Sequence, residues 1–333
     1  DRLGGRAFDV DASCIVNATG PWTDGVRRME DPTASPAVLG SKGAHIAVPA
    51  HRVGNRGAVT LLAADGRVMF VLPAGTCTII GTTETATSGS PDQVRASRAD
   101  VDYLLASANR AFPAAALTAD DVIAAWAGIR PLVAAGHAGD PSSASREHRV
   151  ETGPQGVITV TGGKLTTYRV IGHDVVAAVF RALRRRAPRD RTADVPLIGG
   201  DIQDLAAELA AARAATGADD IAARLVHAHG DAWHQVWARV QDDPALGERL
   251  VSELPYVGAE VVHAVEAELA CTLADVMIRR LHVAFEMRDQ GRAVVAPRVG
   301  ALMAPLLGWT DRGIALALVD YEREVQRVFA IDP

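Results

Sequence analysis

A chain of 333 residues, 48% hydrophobic and 22% charged, is long enough for two separate cores and has the make-up of an ordinary globular protein. Its net charge of −6 and the lack of any long basic run argue against a nucleic-acid partner. No apolar run approaches the ~18 residues that a membrane-spanning helix needs.

Residues 8–19, FDVDASCIVNAT, give a polar strand and then the apolar run Cys14-Ile15-Val16, ended by Gly20-Pro21. A strand ending in a small residue and glycine is typical of a parallel sheet whose edge meets a ligand. Trp22–Arg28 reads as a short helix. From 38 to 81 the chain is strand-rich, and Ala64-Asp65-Gly66-Arg67 suits a hairpin turn. This predicts an antiparallel sheet, distinct from the parallel one. Ser97 to Asp100 resembles a capping box, followed at helical spacing by Val101, Leu104, Leu105, Ala108 and Phe112, and Pro113 stops the helix. Asp121–Val133 reads as a strand, 136–146 as a polar loop, and Val157–Thr161 as another strand. Leu165–Arg186 reads as a long helix, with Ile171, Val175, Val179 and Leu183 on one stripe.

The charged segment Pro188–Pro196 is the best domain boundary, giving 1–190 and 196–333. Beyond it the pattern is helical. Asp201 is expected to cap a helix that ends at Gly217, and a second helix spans Asp219–Gly230. A third runs over Glu260–Ala270. Thr272 to Asp275 caps one reaching Gly291, and Thr310 caps the last. The arginines at 184–186, 189 and 191 come at a helix end, where they complement its dipole. Cys14, Cys77 and Cys271 are odd in number and far apart, with no metal-ligand spacing. No metal site is expected, and a reducing, cytoplasmic compartment fits best.

Three places carry chemistry. The stretch Gly156–Val176 runs strand, Gly162-Gly163, Lys164, then helix. It is not the common nucleotide phosphate loop, because Ile158 stands where that loop needs glycine and Leu165 where it needs Ser or Thr. A helix start offers unpaired N–H groups and partial positive charge. Lys164 adds a full charge, glycines let a ligand approach, and Thr166 and Thr167 are candidate caps. Such a device stabilises a diffuse anion, of which a reduced flavin is one. A plain turn with a surface lysine reads the same residues. Arg130, inside the apolar Ala127–Leu132, calls for a facing anion, either a bound carboxylate or phosphate or a structural ion pair. His45, on a strand of the antiparallel sheet, is either a proton acceptor or a satisfied core histidine.

VNATGPWTD (16–24), SKGAHIAVP (41–49), IIGTTET (79–85), AGIRPL (127–132), SREHRV (145–150) and TGGKLTTYR (161–169) occur in one order. As a set they resemble the FAD-dependent glycerol-3-phosphate dehydrogenase family, and 196–260 is similar to that family's C-terminal domain. The resemblance implies an α/β plus α+β architecture. A Rossmann-type FAD-binding parallel sheet carries an antiparallel substrate sheet, and an all-helical C-terminal domain follows. It implies oxidation of sn-glycerol 3-phosphate to dihydroxyacetone phosphate, with electrons passed to a quinone or another acceptor. It implies peripheral contact with the cytoplasmic face of a membrane, and it leaves room for a homodimer. Carried over by motif, Arg130 holds the substrate phosphate, Lys164 sits at the substrate and flavin edge, and His45 lies near the reacting carbinol. Gly20 and Trp22 lie along FAD. Gly162, Gly163, Leu165, Thr166 and Thr167 surround the isoalloxazine carbonyls.

The chain departs from the family in one respect. It has no G-x-G-x-x-G fingerprint and no initiating Met. The expectation is a piece lacking the N-terminal part of the FAD-binding domain and unable to hold FAD tightly by itself. The competing readings are an amine or amino-acid oxidase, and an inactive product whose helical region mediates interactions.

Overall fold

The computed structural model describes residues 1, 3–134 and 147–333. The polar loop expected at 136–146 lies wholly outside the described residues. The strands are β1 (Val16–Asn17), β2 (Val38–Pro49), β3 (Val59–Leu62), β4 (Val68–Ala74), β5 (Cys77–Gly81), β6 (Thr85–Ala86), β7 (Ala124–Val133), β8 (Arg149–Thr152) and β9 (Ile158–Thr161). The helices are α1 (Thr23–Glu30), α2 (Ala50–Val53), α3 (Arg98–Ala111), α4 (Tyr168–Ala182), α5 (Leu205–Thr216), α6 (Asp219–His229), α7 (Trp233–Asp242), α8 (Gly258–Glu266), α9 (Val283–Glu286), α10 (Val295–Leu307) and α11 (Asp311–Phe329). Two compact units form. The first takes 1–43, 84–94 and 128–193; the second takes 44–83, 95–127 and 194–333.

In the first unit β1 pairs in parallel with β9, and β8 pairs antiparallel on the other side of β9. The buried Asn17 shapes the turn after β1. Its Nδ2 donates to the Thr23 carbonyl at 3.1 Å, and its Oδ1 accepts from the Thr19 hydroxyl at 2.7 Å. That is a side chain doing a backbone's work, as short polar residues do in turns. Asp24, in the first turn of α1, accepts from the backbone N–H groups of Ala37 and Val38 at 2.9 and 3.2 Å, which fixes where β2 begins.

In the second unit β3, β4, β5 and β2 form an antiparallel sheet, with the Asp65-Gly66 hairpin joining β3 to β4. Alternate residues Ile46, Val48, Met69, Val71 and Ile80 face Val101, Leu104, Leu105 and Ala108 of α3. The period of two on the strands and of 3.6 on the helix therefore meet in one core. The capping box of α3 is present: Ser97 N donates to Asp100 Oδ2 at 2.8 Å, and Asp100 N donates to Ser97 Oγ at 3.2 Å.

The helical remainder packs around Leu273, Met277, Leu281, Val299, Met303 and Tyr321. Two of its helices end or break differently from expectation. The helix expected over Glu260–Ala270 is α8, which stops at Glu266. Leu269 takes a left-handed φ of 59°, and the Ala270 N–H folds back to the Ala264 carbonyl at 2.8 Å, closing a C-cap. The helix expected from Thr272 to Gly291 starts with its cap, Asp275 N donating to Thr272 Oγ1 at 3.1 Å. It then runs as a π-helix over Asp275–Arg280, with Leu281 N bonded to Val276 O at 2.9 Å, and breaks at His282 (φ 66°). Val276, Met277, Ile278 and Leu281 are all buried there. On the same stretch Asp275 and Arg279 form an ion pair at 3.2 Å on the solvent side.

Candidate active site

The glycine turn follows β9 in the first unit. Gly162 and Gly163 have φ of 70° and 88°, a left-handed pair that only glycine adopts without strain. A side chain on Gly162 would run into Val133 and the Glu147 carbonyl; one on Gly163 would meet Ile171 and His148. Both glycines thus admit the protein's own chain. On the side a Cβ would occupy, that space is filled by Val133, Glu147, His148 and Ile171.

Leu165–Thr167 is a single 3-10 turn, and the α-helix starts only at Tyr168. The Thr167 hydroxyl donates to the Lys164 carbonyl at 2.9 Å and accepts from the Lys164 N–H at 3.4 Å, so it closes the turn. Helix α4 ends at Ala182, short of Arg186, with Arg184 at a φ of 53°. Lys164 is exposed, with no carboxylate partner among the described residues, and Leu165 is 89% exposed. Thr166 is exposed too, and Trp22 is about half exposed.

β7 gathers the other residues of this unit. Gly20, with φ 59°, faces Pro131, next to Arg130, and Gly162 faces Val133 on the same strand. Arg130 is half-buried and already engaged in an interaction of its own. The structure therefore brings Gly20, Arg130 and the Gly162–Gly163 turn to one strand, although they are 110 and 32 residues apart in sequence.

His45 belongs to the second unit. It lies on β2 opposite Gly81 of β5, and its ring stacks on Trp126 with centroids 5.6 Å apart and planes at 11°. A Cβ on Gly81 would collide with the His45 ring. The strand pair and the indole together hold the imidazole in one orientation. Phe285 braces Trp126 edge-on at 4.8 Å.

A cavity of about 730 Å³ adjoins Trp126 within this unit, with Ala47, Cys77, Ile79 and Phe285 as its apolar lining. Arg224 lies over the Tyr256 ring at 4.7 Å, and the Tyr256 hydroxyl donates a hydrogen bond to Glu286. Burial, and then the Glu286 charge, push the Tyr256 phenol well above its ordinary range. Burial pushes the Cys77 thiol up to about 11, so it stays protonated. Burial and then Arg224 push His282 below its ordinary value. Sequence reasoning found none of Trp126, Arg224, Tyr256, His282 or Glu286. They are scattered over 160 residues and share no spacing, so no local signal existed.

The comparisons bear on this geometry. Residues 1–169 match the family model described as FAD dependent oxidoreductase, and 190–313 match the C-terminal domain of alpha-glycerophosphate oxidase. A mitochondrial glycerol-3-phosphate dehydrogenase of Macaca fascicularis is 37% identical over 327 residues, covering 93% of this chain and 43% of the relative. Glycerol-3-phosphate dehydrogenase 2 of Mycobacterium bovis is 34% identical over 331 residues, covering 98% and 56%. The crystal structure of the glycerol-3-phosphate dehydrogenase from Bacillus halodurans complexed with FAD superposes with a TM-score of 0.79 at 28% identity. The match covers 98% of this chain and 65% of that one. The chain spans about half the length of the curated relatives it matches.

Proposed function

The chain belongs to the FAD-dependent oxidoreductase family, in its glycerol-3-phosphate dehydrogenase group, and from that membership we propose that it serves FAD-dependent oxidation of sn-glycerol 3-phosphate to dihydroxyacetone phosphate. The observation that carries the reading is the superposition of nearly the whole chain on an FAD-complexed glycerol-3-phosphate dehydrogenase. The residues present fit the cofactor. The Gly162–Gly163 pair is set in the left-handed region, and an exposed ammonium and an exposed leucine follow it directly. In this reading Gly20, Trp22, Gly162, Gly163, Leu165, Thr166 and Thr167 hold FAD.

Bound FAD supplies a two-electron acceptor for the hydride that leaves the substrate carbinol, and its reduced ring carries negative charge. The protein's part is binding, orientation and electrostatics. Arg130 grips the phosphate by charge-assisted hydrogen bonds and fixes the position of the carbinol. His45, oriented by Trp126, accepts the hydroxyl proton as the C–H bond breaks. Lys164 and the amides of the Gly163–Thr167 turn stabilise the negative charge that develops. Electrons then pass to a quinone or another acceptor.

A peripheral association with the cytoplasmic face of a membrane, and a homodimer, belong to the same proposal. No helix among the described residues is long and apolar enough to cross a membrane. Ile198, 97% exposed beside the exposed Leu197, supports a surface contact.

The test is the purified protein assayed for dye reduction in the presence of excess FAD. Glycerol 3-phosphate is expected to drive reduction, and glycine and D-amino acids are not. Reduction driven by an amino acid, or by nothing, overturns the proposal.

A further inference from the structure

Helix α6 ends at His229, α8 carries His263, and Glu268 sits in the turn beyond α8. His229 Nδ1 lies 4.0 Å from Glu268 Oε1, and His263 Nε2 lies 3.8 Å from the same oxygen. One ligand atom from each of the three residues falls within 4.8 Å of the others. The imidazole planes cross at 84°, so the rings meet by their edges.

These groups do not satisfy one another. The separations exceed hydrogen-bond length. The ring nitrogens not facing Glu268, His229 Nε2 and His263 Nδ1, are buried without a hydrogen bond, and the two side chains are only 12% and 8% exposed. A buried polar atom left unpaired costs about 1–3 kcal/mol. Two imidazoles and a carboxylate that converge without bonding each other describe a place for a fourth species that binds all three.

The donor set identifies it. Two imidazole nitrogens and one carboxylate oxygen suit zinc and its neighbours among the transition metals. Bonds of about 2.0–2.2 Å in a tetrahedron place ligand atoms about 3.4 Å apart. The 4.0 and 3.8 Å imidazole–carboxylate separations must therefore shorten by several tenths of an ångström, and the two imidazole nitrogens, within 4.8 Å of each other, by up to about 1.4 Å. A carboxylate stands near enough to close onto His229 when the ring turns to the ion. Glu260 Oε1 stands 3.7 Å from His229 Nε2, and Glu260 is itself held by Arg224 at 3.1 Å and by the Val257 N–H at 3.1 Å. A carboxylate behind a ligating imidazole fixes its tautomer. Arg280 takes the other oxygen of Glu268, at 3.1 Å, and leaves Oε1 for the ion. Arg224, Arg239 and Arg280 are each paired with a glutamate, so no unbalanced cation repels a metal from these residues.

We propose that His229, His263 and Glu268 form a site for a divalent transition-metal ion, best matched by zinc, that ties the end of α6 to α8 and its following turn. Glu268 is partly exposed, so water completes the coordination.

The purified protein, stripped with a chelator, is titrated with Zn²⁺ in a calorimeter and with Co²⁺ by visible absorption. One equivalent is expected to bind, with the absorption of tetrahedral Co²⁺ and a raised Tm. His263→Gln and Glu268→Gln are each expected to weaken binding at least ten-fold. Where a variant fails to fold, displacement of Co²⁺ by Zn²⁺ in the unaltered protein decides by spectrum and stoichiometry. No stoichiometric binding, or binding that both variants leave unchanged, overturns the site and assigns any residual affinity to surface histidines.

Discussion

Arg130 interrupts an otherwise apolar strand, and desolvating a guanidinium there is costly unless an anion answers it. If that anion is the substrate phosphate, Arg130→Ala in the FAD-loaded protein removes about 1.5–3 kcal/mol of binding. The KM for glycerol 3-phosphate is then expected to rise at least ten-fold while kcat changes little; an unchanged KM removes Arg130 from the phosphate site. Lys164, exposed at the head of the turn, is assigned to charge that appears only on reduction. Lys164→Met is therefore expected to slow stopped-flow flavin reduction more than it weakens FAD retention, and equal rates return it to the role of a surface lysine. His45 depends on the absence of a side chain at Gly81. Gly81→Ala is expected to destabilise by about 1–3 kcal/mol, as overpacking does, and to lower kcat by shifting the imidazole. Gly57→Ala, with open space around it, is the control and is expected to leave both unchanged.

Helix α11 shows how an element is held by charge. Glu324 accepts from Arg327 at 2.7 Å and from Arg279 at 2.6 Å, and these bonds, Arg327 first, hold its carboxyl below the ordinary 4.5. A depressed carboxyl contributes stability above its unfolded value and loses it as pH falls through the folded one. Thermal melts from pH 7 down to pH 3 are thus expected to show stability falling below about pH 4.5. Glu324→Gln should be less stable at pH 7 and flatter across that window. Parallel curves for the two proteins count against the linkage. The elements read from sequence with fewest errors are those whose ends carry their own chemistry. Ser97 and Asp100 start α3, Thr310 starts α11, and Asp65-Gly66 turns the β3–β4 hairpin. Where the end is set by contacts elsewhere, the reading missed. Asp204, three residues beyond the expected Asp201, caps α5 by accepting from Ala206 and Ala207. Asp201 instead accepts from the Gln203 side-chain amide at 2.8 Å.

At the scale of the molecule, stability rests on cores assembled from distant segments. Met303 is fully buried among Leu273, Met277, Val299 and Tyr321. Met303→Ala is expected to cost about 2–5 kcal/mol in a urea melt, and a cost near zero would mean the helical core can collapse around the gap. The amino-acid sequence alone determined the strand-rich and helical regions, the hairpin, the caps of α3 and α11 and the six motifs that name the family, because each is written in neighbouring residues. It also marked Gly162-Gly163-Lys164, Arg130 and His45, since a charge or an imidazole in an apolar strand is visible without coordinates. Only the tertiary structure decided that 44–83 and 95–127 join the helical end of the chain in one compact unit. It alone set Trp126 against His45, turned the two glycines toward their own protein, and brought His229, His263 and Glu268 within reach of a single ion. Those facts depend on which distant surfaces bury each other, a free energy summed over the whole fold that no local spacing records.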